Sequence, residues 1–96
     1  MTPHVVFEWA THRLAIPADQ VSRFEEDVAG GGTVICMADG RRWTVTGGVK
    51  LCPLPAPMPL PELLRGWAEG VGVLGLAIGE AGMVFVLTPT WSGGQA

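Results

Sequence analysis

The chain has 96 residues, 48% of them hydrophobic and 16% charged, with a formal net charge of −3. That apolar content supports one core and is too high for a disordered chain. Six scattered Lys and Arg against nine acids argue against phosphate recognition, so nucleic acid is not expected as a direct ligand.

The first residues, Met1 to Trp9, show no basic stretch followed by a long apolar run. No signal peptide is read there, and a cytoplasmic chain with Cys36 and Cys52 as thiols is expected. Residues 4–16 read as extended: Val5, Phe7 and Trp9 alternate with Val6 and Glu8, and Leu14 and Ile16 follow a bend or bulge at Ala10-Thr11-His12. Pro17 and Asp19 suit a helix start. Val21, Phe24 and Val28 then fall at i, i+3 and i+7, predicting a helix of about three turns with Arg23 and Asp27 paired on its wet side. Gly30-Gly31-Gly32 ends it.

Residues 33–46 read as a hairpin around Asp39-Gly40, a pair suited to a two-residue type I′ turn. That turn would set Cys36 opposite Trp43 and Val34 opposite Val45, with these four facing the core. Next comes a segment, residues 52–61, with proline at 53, 55, 57, 59 and 61. Each proline fixes φ and lacks an N–H, so neither a helix nor a central strand is open to it. A stiff polyproline-like rod is expected, at about 3.1 Å per residue, lying on its own domain or offered to a partner. Its remaining residues, Leu54, Ala56, Met58 and Leu60, are all apolar.

Pro61-Glu62 opens a second predicted helix, with Leu60, Leu64, Trp67 and Val71 as its stripe and Arg65–Glu69 as an i, i+4 pair. Residues 73–79 and 83–88 predict a second hairpin around Glu80-Ala81-Gly82, apolar on both faces and therefore more buried than the first. The same region, residues 68–89, has the length of a membrane span with Trp67 and Trp91 at its ends. Glu69, Glu80 and five glycines disfavour that, and no membrane association is expected.

Strand, helix, hairpin, helix, hairpin is an α+β order. It matches a ferredoxin-like βαββαβ pattern with one extra C-terminal strand: a single antiparallel sheet with two helices on one face. One domain spans residues 1–96. Helix–hairpin units 17–46 and 60–88 align at an offset of 42 residues and would be joined by the rod.

Gly70-Val71-Gly72-Val73-Leu74-Gly75 spells G-x-G-x-x-G, but a helix precedes it and a strand follows, the reverse of a dinucleotide loop. His4, His12, Cys36 and Cys52 lack the short spacings of a structural zinc site. No nucleophile among Cys36, Cys52, Ser22 and Ser92 sits beside a base with an orienting third group. No enzyme activity, metal or cofactor is expected. Arg13, Arg41, Arg42 and Lys50 form no stripe. Of four tryptophans, Trp43 and Trp67 suit the core, whereas Trp9 and Trp91 suit partly exposed positions.

The expected function is therefore a small acidic, non-enzymatic, protein-binding regulatory module that modulates a larger protein partner, inhibition being one form of it. Its contact residues are expected to be Trp9, Leu54, Met58 and Trp91, with the acidic cluster Glu25, Glu26 and Asp27 steering encounter. The alternative is a small-molecule-binding regulatory domain, with a homodimer through the second hairpin as one arrangement.

Overall fold

The computed structural model describes residues 1–9, 11–79, 82–88 and 91, and the side chains of all of these except 67–71. The described chain is mostly β. Its strands are β1 (Thr2–Trp9), β2 (His12–Pro17), β3 (Val21–Asp27), β4 (Gly32–Met37), β5 (Arg42–Val45), β6 (Lys50–Leu54), β7 (Val73–Gly79) and β8 (Gly82–Leu87). One helix, α1 (Glu62–Val71), and a single 3-10 turn at Ala18–Gln20 complete it. The strands form a five-stranded sheet, β6-β1-β2-β8-β7, and a three-stranded sheet, β3-β4-β5. The expected α+β ferredoxin-like sheet with two helices on one face is overturned.

The error begins at residues 17–28. Pro17 leads only into the 3-10 turn, and residues 21–27 become β3, paired along its length with β4. Of the three apolar residues read as a helical stripe, Val21 packs against the core but Phe24 is 47% exposed and Val28 91%. A stripe that short gives an isolated helix too little to hold it, whereas a strand gains a ladder with its neighbour. The period changes the charge pairing as well. Arg23 meets Glu25 at 3.3 Å, two residues along one face of a strand, rather than Asp27 four residues along a helix. The glycine run is then a hairpin loop, with Gly31 N–H donating to Asp27 O at 2.7 Å. Because α1 has a strand in the corresponding place, the units 17–46 and 60–88 do not share a fold.

The 33–46 hairpin forms, but in a register one residue away from the expected one. Ile35 lies opposite Trp43, and Cys36 opposite Arg42. The loop holds three residues, Ala38-Asp39-Gly40: Met37 N–H donates to Arg41 O at 2.7 Å and Gly40 N–H to Met37 O at 3.0 Å. Gly40 takes φ +95°, the left-handed position that closes a three-residue hairpin loop. Shifting a strand by one residue exchanges its faces. Ile35 and Met37 therefore enter the core with Trp43 and Val45, and Cys36 turns to the opposite side.

Residues 4–16 are likewise a hairpin, not one bent strand, since Trp9 pairs with His12. The second hairpin forms as read, Gly79 opposite Gly82, with Gly82 at φ +104°. Its tip, Glu80-Ala81, lies outside the described residues, as do the tail beyond Trp91 and the side chains of Trp67, Glu69 and Val71. Within the helical stripe, Leu60 is buried and Leu64 is 39% exposed.

The proline segment closes the larger sheet. Its first part is β6, an edge strand in which Pro53 stands opposite Pro3, where a missing N–H is tolerated. The chain then crosses to the far edge. Met58 exchanges two backbone hydrogen bonds with Leu76 of β7, at 2.6 and 2.9 Å. The sheet thus curls until its two edges meet through one segment of chain. Gly75 permits the approach, since a Cβ there would strike the Met58 carbonyl. Gly72, at φ +82°, similarly admits the Trp91 backbone, 2.9 Å from where its Cβ would stand. Two of the three glycines in the G-x-G-x-x-G string are thereby explained by packing.

Two apolar clusters result. Val5, Phe7, Leu14 and Ile16 of the larger sheet pack against Ile35, Met37, Trp43 and Val45 of the smaller one, with Leu60 and Trp91 alongside. The Phe7, Trp43 and Trp91 rings meet in tilted and edge geometry, with Trp43 and Trp91 centroids 4.7 Å apart. The other face of the larger sheet holds Ala15, Leu54, Ala77, Val84 and Val86.

Candidate functional site

The ladder brings several exposed apolar side chains of the larger sheet onto one outer face. Along β7 and β8, Leu76 opposes Phe85 and Ile78 opposes Met83. Met58 joins the first of these rows across β7, because residues directly opposite in an antiparallel pair share a face. On the far side Phe85 neighbours Leu14, and His12 and Trp9 stand on the same face at the strand ends. The inner part of this face packs against the core through Leu76, Phe85 and Trp9. Ile78, Met83 and Met58 are 61%, 55% and 50% exposed, and Leu74, at the β7 bulge, is 59% exposed. Rings in contact hold the rim: Trp9 meets Trp91 edge-on at 5.5 Å, and His12 meets Phe85 at 5.8 Å.

Of the residues expected to contact a partner, Trp9 and Met58 are on this face. Leu54 and Trp91 are not available to one: they are 1% and 2% exposed and belong to the two core clusters. The acidic cluster is divided as well. Strand alternation sends Glu25 and Asp27 to one face of β3 and Glu26 to the other. Asp27 accepts the Gly30 N–H in its own turn. Leu74, Ile78 and Met83 went unrecognised as surface. Their signal was the hairpin's apolar character on both faces, which reads as burial when nothing indicates that one face is left uncovered.

Glu25 occupies the outer face of the smaller sheet with Cys36, Arg23 and Arg42. The Cys36 thiol donates to Glu25 Oε2 at 3.1 Å, and both arginines reach the carboxylate at 3.3 Å. The thiol's hydrogen bond, with Arg42 and Arg23 nearby, holds the Glu25 carboxyl below the usual carboxylate range. The same bond, reinforced by burial, pushes the Cys36 thiol up. A carboxyl lowered by folding contributes stability above its unfolded range and loses it as pH falls through its folded value. A thiol raised by folding contributes below its unfolded value and loses that as pH rises. Glu25→Gln is therefore expected to lower the melting temperature at neutral pH and to converge with the parent chain in acid. Thermal melts across the carboxylate range check this; a constant gap at every pH would contradict it.

His4 and Cys52 stand opposite each other between β1 and β6. Each is engaged elsewhere: His4 Nδ1 lies 2.7 Å from Thr2 O, and the Cys52 thiol donates to Pro53 O at 3.6 Å. His12 is at the other end of the hairpin and Cys36 in the other sheet, so the four residues weighed as zinc ligands do not gather. No family model, curated protein or solved structure matches this chain.

Proposed function

We propose that the chain is a protein-interaction module that docks a larger protein partner through the outer face of the β7–β8 hairpin and so modulates it. The observation that carries this reading is the exposure of Ile78 and Met83, directly opposite each other on the β7–β8 ladder, with Met58 and Leu74 of the same edge also half or more open to solvent. Scattered apolar residues on a surface are ordinary, whereas neighbouring ones on a rigid ladder form a patch of the kind that partners cover. Its backbone is held by β8 on one side and by Met58 on the other, so docking would order little chain and would lose little entropy. Within the described residues no helix is long and apolar enough to cross a membrane. Cys36 and Cys52 are both free thiols, in keeping with a cytoplasmic setting.

The test is affinity capture from the host's lysate, after nuclease treatment, with the parent chain and with Ile78→Ser/Met83→Ser. A stoichiometric protein retained by the parent and weakened about 10- to 100-fold by the double variant, at unchanged melting temperature, supports the reading. Equal retention by both chains, or an empty capture at low salt, overturns it.

A further inference from the structure

The sheet closure described above is incomplete. β6 and β7 lie at opposite ends of the strand order, and Met58–Leu76 is the pairing that links the two edges. Between the body of β6 and the far end of β7 no ladder runs among the described residues, and the seam opens into a cavity of about 210 Å³. Its walls are Val6, Cys52, Leu54 and Val84, and Gly79 contributes no side chain to fill it. A Cβ at Gly79 would come within 2.7 Å of Leu54 Cδ2, so the glycine sets the width of the gap.

Among the described residues lining this cavity the one charged side chain is a cation. Lys50, the only lysine in the chain, lines it and is exposed, with no carboxylate partner among the described residues. It alternates onto the same face of β6 as Cys52 and Leu54. An apolar cavity of about 150 Å³ is enough to hold a benzene-sized molecule, so this one suits a tail of roughly six to eight carbons.

We infer that the seam between β6 and the β7–β8 hairpin is a binding site for a small aliphatic carboxylate, its tail against Val6, Leu54 and Val84 and its head at Lys50. This site is separate from the outer face of the hairpin and does not depend on a protein partner.

Cys52 in the cavity wall provides the readout. The full chain is treated with a thiol-alkylating reagent, and modification of Cys52 is followed by peptide mass spectrometry. The probes are octanoate, 1-octanol and octylamine, each below its aggregation concentration. Octanoate is expected to slow Cys52 modification about tenfold at a tenfold excess over its Kd, with octanol weaker and octylamine weakest. In Lys50→Met, an exposed substitution that leaves the core intact, the advantage of octanoate over octanol should vanish. No protection by any probe overturns the site. Equal protection by all three, or an octanoate preference that survives in Lys50→Met, overturns the assignment of the head group to Lys50.

Discussion

Replacing Trp43 with alanine is expected to lower the unfolding free energy by about 3–5 kcal/mol, the usual cost of truncating a buried tryptophan. Trp43 is fully buried where the two sheets meet. Its ring touches Phe7 and Trp91, and the Arg41 guanidinium lies 5.6 Å from the ring centroid on the surface side. With Ile35, Met37 and Val45 it holds the smaller sheet to the larger one. Domains of this size are stable by roughly 5–15 kcal/mol, so the variant would sit near the edge of folding. Urea denaturation checks the value. Trp43→Phe should cost clearly less. The indole N–H finds no acceptor among the described residues, and phenylalanine removes that buried donor, whose burial costs about 1–3 kcal/mol. If Trp43→Phe proves as damaging as Trp43→Ala, the packing described for this ring is wrong.

Leu54→Ala is expected to cost about 2–5 kcal/mol, and Met58→Ser less than about 0.5 kcal/mol. The two residues stand four apart in the proline segment and look alike in sequence. Leu54 is 1% exposed and packs against Ala15, Ala77, Val84 and Val86. Met58 gives the sheet its backbone, through both hydrogen bonds to Leu76, and leaves its side chain half in solvent. Truncating Met58 keeps those bonds and removes little buried surface. Denaturation of the two variants side by side separates a proline segment anchored at Leu54 from one that merely lies along the surface. Comparable losses for both, or none for either, would contradict the sheet closure.

Much of the local structure is legible in residue pattern. Val5, Phe7, Leu14 and Ile16 mark a strand face by simple alternation, and Pro61-Glu62 marks the start of α1. The repeated apolar residues before and after Glu80-Ala81 mark the β7–β8 hairpin. The proline segment contributes an edge strand and no central one, as its residues dictate, because fixed φ and missing N–H groups are properties of the residue alone. The candidate docking face is legible only in part: residue type points to Trp9 and Met58, whereas the apolar pattern on both faces of the hairpin reads Ile78 and Met83 as buried. Exposure is decided by what packs on a face, and alternation on one strand carries no record of that.

Residues 21–27 show the limit most directly. Val21, Phe24 and Val28 fit a helical stripe, and no apolar alternation across residues 21–27 marks a strand. The choice belongs to β4, whose open edge takes up β3. The Cys36–Trp43 register failed for a related reason, since Asp39-Gly40 can close a two-residue or a three-residue loop and the two differ by one position. Burial of Ile35 and Met37 against Phe7 and Trp91 selects the latter, through side chains distant in sequence. The sequence by itself determined that the chain reverses at Asp39-Gly40 and between β7 and β8 and that the proline segment cannot be helical, because turn chemistry and proline geometry act within a few residues. Only the tertiary structure decided strand against helix at residues 21–27, the register beside Trp43 and the division of the apolar residues into core and surface. Each of those rests on contacts between segments that the local pattern does not encode.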